Sequence, residues 1–196
     1  FAFHSKLLGD FNRANCLAAI AATNALGISD VVIRETIATF SGIPGRMEVV
    51  AEKPFSVIVD FAHTPNAIEQ VLATVRPLTT KRLIHVFGSA ALRDRSKRPF
   101  MGTASARYSD LIVLTEEDYR TEDVNEIIGQ IAQGIPRGKE VHKIPDRKAA
   151  IEYALSCAQT GDLVIITGKG HEKSLARDSK EYPWSDQEAV REFFKT

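Results

Sequence analysis

The chain has 196 residues, with 25 Lys and Arg balanced by 25 Asp and Glu for a formal net charge of +0 with histidine neutral. Acids and bases are interleaved along the whole length, which argues against a nucleic-acid-binding domain, because phosphate-backbone contact needs a surplus of basic residues on one face. Hydrophobic residues at 44% and charged residues at 26% exclude a disordered chain, and no apolar run approaches the roughly 18–20 residues that span a bilayer.

In chain order, Asn12 to Leu26 and Asp30 to Phe40 read as two successive helices with no strand between them. Gly42-Ile43-Pro44-Gly45 then breaks the pattern, and a domain boundary is expected there. Residues 1–45 are expected to be the helical end of a preceding domain, and residues 46–196 a domain of their own. Two helices of that size cannot bury a core alone, so they are expected to pack on further material. The chain begins at Phe1 without a signal-peptide pattern and reads as part of a longer protein.

Four short apolar runs follow: Val57-Ile58-Val59, Leu83 to Phe87, Leu111 to Leu114, and Leu163 to Ile166. Continuous rather than alternating apolarity is the signature of strands covered on both faces, as in a parallel sheet. Between them, Val124, Ile127, Ile128 and Ile131 repeat at helical spacing, as do Ala150, Ile151, Ala154, Leu155 and Ala158 behind an N-cap at Asp146. Val141 to Ile144 reads as a further short strand. Ser185-Asp186-Gln187-Glu188 reads as a capping box opening a final helix that buries Val190 and Phe194. The alternation predicts a doubly wound α/β fold with a mainly parallel sheet. Cys16 and Cys157, far apart within amphipathic stretches, read as reduced, buried thiols of a cytoplasmic protein, with neither a disulfide nor a zinc site.

Ligands of open parallel sheets bind beyond the carboxyl ends of the strands, and the residues there are polar. Asp60-Phe61-Ala62-His63-Thr64-Pro65 follows the first run, and Gly88 to Arg95 the second. Thr115-Glu116-Glu117-Asp118-Tyr119-Arg120 follows the third, and Thr167-Gly168-Lys169-Gly170-His171-Glu172 the last. Together they supply cations (Arg93, Arg95, Arg120, Lys169) and anions (Asp60, Asp118, Glu172), a mixed set suited to a zwitterion or a nucleotide. Taken singly, each has a plainer reading: Asp60 near a helix N-cap, Gly168 and Gly170 as turns, Arg93 to Arg98 as a solvated basic face. There is no G-x-x-x-x-G-K-[ST] loop, no G-x-G-x-x-G turn, no nucleophile elbow and no metal-ligand spacing around His63 or His171.

An ordered string of short motifs resembles the Mur ligases of peptidoglycan synthesis. It runs through Gly9-Asp10-Phe11-Asn12-Arg13-Ala14-Asn15, Gly45-Arg46-Met47-Glu48, Val59-Asp60-Phe61-Ala62-His63-Thr64-Pro65 and Phe87-Gly88. It continues through Arg93-Asp94-Arg95, Lys97-Arg98-Pro99, Met101-Gly102, Asp146-Arg147 and Gly168-Lys169-Gly170-His171-Glu172. The likeness is greatest to members that attach the third peptide residue, usually meso-diaminopimelate or lysine. It implies a three-domain, ATP- and Mg²⁺-dependent amide ligase, of which this chain is the end of the central domain plus the C-terminal domain, packing on the missing domains. In that reaction ATP phosphorylates the D-glutamate carboxylate of UDP-N-acetylmuramoyl-L-alanyl-D-glutamate, and an incoming amine displaces phosphate. Asn12, Asn15, Arg46, Asp60 and His63 match nucleotide-binding positions. Arg93, Glu117, Asp118, Tyr119, Arg120, Gly168 and Glu172 match positions for the added amino acid, with arginines holding carboxylates and Glu172 an ammonium. No catalytic residue and no metal ligand is carried by this stretch itself.

Two departures bear on the substrate. Diaminopimelate-adding members read Asp-Asn-Pro-Arg where this chain has Glu117-Asp118-Tyr119-Arg120. They read Gly-Gly-Asp where it has Ala90-Ala91-Leu92, which is expected to restrict positive φ and close backbone approach. Arg120 favours meso-diaminopimelate and Asp118 favours lysine, and the guanidinium is expected to weigh more, with Asp118 neutralised by it. A related folylpolyglutamate- or cyanophycin-type ligase and a non-catalytic binding module are the alternative readings.

Overall fold

The computed structural model describes residues 2–195, which fall into two compact units divided between Ile43 and Pro44. The first carries α1 (Asp10–Ala25), entered from Gly9, and α2 (Asp30–Thr39), entered from Ser29. Both helices expected from the sequence are present, with ends shifted by a residue or two. Neither cysteine is disulfide-bonded; Cys16 is buried, whereas Cys157 is only partly so, contrary to expectation.

The second unit is built on a six-stranded sheet of β1 (Glu48–Ala51), β2 (Ser56–Asp60), β3 (Leu83–Phe87), β4 (Leu111–Leu114), β5 (Glu140–Lys143) and β6 (Leu163–Thr167). Its spatial order is β1-β2-β6-β3-β4-β5, with β1 antiparallel at the edge and every other pairing parallel. All residues of β3, β4 and β6 are buried, so their unbroken runs of Val, Ile and Leu follow from having helices on both faces. Val57, Val59, Ile84, Val86, Val113 and Val164 meet Ile151 and Leu155 of α6 (Arg147–Cys157) and Val190 of α7 (Asp186–Phe193) on one face. On the other, α3 (Pro65–Val75), α4 (Lys97–Tyr108) and α5 (Val124–Ala132) pack in sequence against one another.

The chain passes over the place of β6 on its way from β2 to β3, moves outward to β4 and β5, and returns through α6 to insert β6 between β2 and β3. That reversal of direction opens a crevice at the carboxyl ends of the central strands. A two-stranded hairpin, β7 (Ser174–Arg177) and β8 (Lys180–Pro183), follows β6.

Asp146 and Ser185 cap α6 and α7 as expected, each accepting from the amide three residues on. Asp60 is not a cap: Thr64 is the N-cap of α3, with Pro65 in the first turn. Phe194 lies one residue beyond the last helix and is 37% exposed, so Phe193 packs on the core in its stead. The reading of Arg93 to Arg98 as a solvated basic face holds for Arg93 and Arg95, which are exposed, and fails at Arg98. Arg98 is fully buried, donating to Glu122 Oε2 at 3.0 Å and Gln130 Oε1 at 2.7 Å. It belongs to α4, which has no large-residue stripe, because its buried face is mostly small. A Cβ at Gly102 would stand 2.2 Å from the Ile131 carbonyl oxygen of α5, so the close approach of these two helices excludes a side chain there.

One polar side chain is threaded into the middle strand. His85 is fully buried between Ile112 and Ile165 on the neighbouring strands. Its Nδ1 lies 2.8 Å from Ser105 Oγ, its Nε2 3.0 Å from Thr167 Oγ1, and its ring stacks on Phe87. Burial holds the imidazole neutral, with its pKa lowered to about 3. The unfolded chain takes up this proton near the ordinary histidine pKa of about 6.5 while the fold refuses it, so stability is present above that pH and is lost as pH falls toward 3. The expected loss is about 1.4 kcal/mol per pH unit in that window. In denaturant titrations between pH 6.5 and 5, His85→Gln should start less stable but fall with a shallower slope; parallel slopes would refute the assignment.

Candidate active site

The four loops at the carboxyl ends of β2, β3, β4 and β6 enclose a cavity of about 480 Å³. It is lined by Phe61, His63 and Thr64 after β2, and by Ala90, Arg93 and Asp94 after β3. Glu117, Asp118 and Arg120 after β4, Gly168 and Glu172 after β6, and Lys97 from the start of α4 complete it. Of the residues singled out from the sequence, His63, Arg93, Glu117, Asp118, Arg120, Gly168 and Glu172 are brought together.

Asn12, Asn15, Arg46, Asp60 and Tyr119 are not part of its lining. Asn12 and Asn15 belong to the first unit, where Asn12 donates to the Leu8 carbonyl at 2.8 Å. Arg46 stacks its guanidinium over the Phe61 ring at 4.4 Å. Asp60 is buried, accepting from the Met47 amide at 2.8 Å and the Ala62 amide at 2.7 Å. Both oxygens are thus bonded to backbone, and burial raises its pKa. Its carboxylate ties the Gly45 to Glu48 turn, with Met47 at φ 49°, to the end of β2.

Lys97 lines the cavity without having been singled out as a site residue, and Lys169, named among the loop cations, turns inward. Lys97 Nζ donates to the His63 carbonyl at 2.8 Å, joining α4 to the first loop. Lys169 is 1% exposed and lies 2.8 Å from Asp118 Oδ1 and 2.5 Å from Glu172 Oε2. Arg120 is 3.9 Å from Asp118 Oδ2, so the group that neutralises Asp118 is Lys169 rather than the guanidinium expected from the sequence. An isolated Lys between glycines carries no signal in the sequence that it turns inward.

The loop bearing Asp118 and Arg120 is held from behind by the hairpin. The Arg120 amide donates to the Ala176 carbonyl at 3.1 Å, the Asp178 amide to the Arg120 carbonyl at 2.7 Å, and the Ala176 amide to Asp118 Oδ1 at 3.0 Å. Arg177 pairs with Glu116 through both oxygens. Arg120 takes a φ of 48°, a left-handed conformation that its two backbone bonds to the hairpin maintain.

Beneath these loops lies a fully buried ion pair, in which Arg147 donates to Asp186 Oδ1 and Oδ2, each at 2.8 Å. The remaining donors reach the Glu116 carbonyl at 3.0 Å and the Thr167 carbonyl at 2.9 Å, the residues where the β4 and β6 loops begin. The Trp184 indole donates to Asp186 Oδ1 at 2.8 Å. Removing the guanidinium strands a buried carboxylate, which costs about 3–5 kcal/mol. Arg147→Met should therefore lower the unfolding free energy in urea by that amount, and a loss under 1 kcal/mol would show that the pair does not anchor the loops.

Residues 45–170 match the model of the Mur ligase, glutamate ligase domain. The chain belongs to the Mur ligase family. It is 44% identical over 98% of its length to the UDP-N-acetylmuramoyl-L-alanyl-D-glutamate–2,6-diaminopimelate ligase of Aquifex aeolicus. It is 43% identical over 95% of its length to a UDP-N-acetylmuramyl-tripeptide synthetase of Roseiflexus sp.. It spans only 40% and 38% of those relatives. A solved UDP-N-acetylmuramoyl-L-alanyl-D-glutamate–2,6-diaminopimelate ligase superposes with a TM-score of 0.77 at 37% identity, covering 100% of this chain and 40% of that one. A folylpolyglutamate synthase of Mycobacterium tuberculosis, at 20% identity and a TM-score of 0.71 over 85% of this chain and 39% of that one, shares the fold.

In this Mur ligase domain, Leu92 departs from the expectation drawn from Ala90-Ala91-Leu92. It adopts a φ of 56°, with its amide donating to Glu122 Oε1 at 2.8 Å and its side chain 60% exposed. The left-handed turn is made without glycine, at a steric cost of roughly 1–2 kcal/mol. Glycine at this position removes that cost and adds some unfolded-state entropy, so Leu92→Gly should raise stability by on the order of 1 kcal/mol, read as a higher denaturation midpoint. A lower midpoint would mean that the exposed leucine contributes packing.

Proposed function

We propose that this chain is the amino-acid-binding part of an ATP-dependent amide ligase that adds meso-diaminopimelate to UDP-N-acetylmuramoyl-L-alanyl-D-glutamate. The observation that carries the reading is the allocation of charge in the cavity. Arg93 makes no ion pair among the described residues, and the Arg120 guanidinium is only loosely associated with Asp118, so two cations are left for carboxylates. Lys169 has already neutralised Asp118, which therefore does not repel a distal carboxylate. Lysine, lacking that carboxylate, would leave Arg120 with only its 3.9 Å association with Asp118, which favours the dicarboxylic diamino acid. The names of the relatives from Aquifex aeolicus and Roseiflexus sp. support the same reaction class.

In this reading residues 1–43 belong to the end of the preceding ATPase domain, where Asn12 and Asn15 meet the adenine, and residues 44–196 form the C-terminal domain. Exposed Leu17, Leu26 and Val31 fit packing of the first unit against the rest of that domain. Arg46 and His63 stand near the nucleotide, with Asp60 shaping the turn that presents Arg46. The carboxylate of the muramoyl dipeptide is activated as an acyl phosphate because hydroxide is too poor a leaving group, and this chain's part is to hold the attacking amino acid in place. Among the described residues no group of three or more His, Cys, Asp or Glu side chains is placed to hold a metal ion. Mg²⁺ would stabilise charge on the transferring phosphoryl group.

Competition between meso-diaminopimelate and lysine in the parent enzyme tests the reading. The expected result is a higher kcat/KM for meso-diaminopimelate, with Arg120→Ala raising its KM roughly ten- to a hundredfold, as loss of a charged hydrogen bond of about 1.5–3 kcal/mol requires. Preference for lysine, or indifference to Arg120→Ala, would overturn it. The isolated 196-residue chain should release no phosphate from ATP.

A further inference from the structure

The first turn of α7 holds a buried amide with no local task. A capping box needs only Ser185 and Glu188, and Asp186 is taken by Arg147. Gln187, between Asp186 and Glu188, is 4% exposed, and its amide is engaged at both ends. Nε2 donates to Glu48 Oε2 at 2.9 Å and to the Gly170 carbonyl at 3.0 Å, while Oε1 accepts from the Ser185 hydroxyl at 3.0 Å. A carboxylate and a carbonyl can only accept, so the amide has a single orientation, with its nitrogen toward Glu48 and Gly170.

The partners of that amide are the Gly45 to Glu48 turn and the loop after β6. Glu48 Oε2 also accepts from the Gly45 amide at 2.8 Å, closing the turn from within, and Asp60 holds its other side through the Met47 amide. The two segments touch backbone to backbone: a Cβ on Gly45 would collide with the His171 nitrogen. A Cβ on Gly170 would stand 2.7 Å from Phe61 Cβ, so the same loop also backs the ring over which the Arg46 guanidinium lies. Arg46 itself is exposed and makes no ion pair among the described residues, so its placement depends on its backbone and on that ring. Besides Gln187, the only cation near Glu48 is Arg191 at 3.8 Å, itself 57% exposed and therefore a weak tie. Gln187 is the buried fastening between the turn that carries Arg46 and the loop behind Phe61.

We infer that Gln187 is a positioning residue for Arg46, holding its turn through Glu48 and Gly170 so that the guanidinium is presented to the anionic nucleotide. The inference rests on the reading that Arg46 stands near the nucleotide. An apolar side chain at 187 would leave Glu48 tied only to its own turn and to the exposed Arg191, and would free the turn from the Gly170 loop. Arg46 would then have to be ordered at the moment of binding, which lowers nucleotide affinity and leaves the amino-acid subsite and the chemical step alone.

Steady-state kinetics of the parent enzyme test this. Arg46→Ala sets the scale, with the KM for ATP expected to rise roughly ten- to a hundredfold, as loss of a charged hydrogen bond requires. Gln187→Met, close to glutamine in length but unable to donate, should raise the KM for ATP about tenfold, with kcat and the KM for the amino acid within about twofold of wild type. In the double variant the effects should not multiply: its KM for ATP should be no higher than that of Arg46→Ala alone, because Gln187 acts only through that side chain. An unchanged KM for ATP in Gln187→Met, or effects that multiply in the double variant, would overturn the inference while leaving the nucleotide reading of Arg46 intact. An unchanged KM for ATP in Arg46→Ala would overturn that reading and the inference with it. Should Gln187→Met not fold, Glu48→Met breaks the same tie from its other end, and a rise in the KM for ATP that Arg46→Ala does not absorb would equally overturn the inference.

Discussion

Arg147 and Asp186 make the arrangement of the whole site possible. A guanidinium with no exposure to water is tolerable only if its donors are met, and here they are met by one carboxylate and by the carbonyls that open two of the cavity loops. The same contact thus neutralises a buried charge, joins α6 to α7, and sets the distance between the ends of β4 and β6. Asp118 and Lys169, carried by those two loops, meet at 2.8 Å as a consequence.

From that anchor outward the site is assembled by pairing charges in layers. Glu116 is taken by Arg177 of the hairpin, Asp118 and Glu172 by Lys169, and Glu122 by Arg98 and Arg95. Each pairing fixes a loop and withdraws its charges from the cavity. Arg93 and Glu117 make no side-chain hydrogen bond or ion pair among the described residues, and Arg120 is only loosely paired with Asp118. The left-handed conformations of Leu92 and Arg120 lie on the same rim, consistent with backbone strain being kept where binding geometry demands it.

Much of the scaffold was legible in the chain itself. The runs at Leu83 to Phe87 and Leu111 to Leu114 coincide with β3 and β4, because strands covered on both faces need apolar side chains at every position. The caps at Asp146 and Ser185 were equally readable, since a side-chain oxygen before an apolar repeat has a local task that no tertiary contact alters. α4 was hidden, because Gly102, Ala104 and Ser105 bury it by closeness rather than by apolar bulk. The hairpin gave no sign either: β8 is exposed throughout and exists to hold a loop, so it has no hydrophobic pattern to show.

The sequence by itself determined the α/β architecture, the four strand-end loops that carry polar groups, and the family, since each depends on local pattern or on the order of short motifs. Which of those polar groups face the cavity was decided only by the fold. Asp60 turned out to bond backbone, Lys169 to sit inside between two acids, Arg98 to be buried and Glu117 to be left without a bond. A charged side chain has no preferred partner along its own strand or loop. Its role follows from which opposite charge the crossing of β2, β6, β3 and β4 brings within a few ångströms, and that distance is written nowhere in the order of residues.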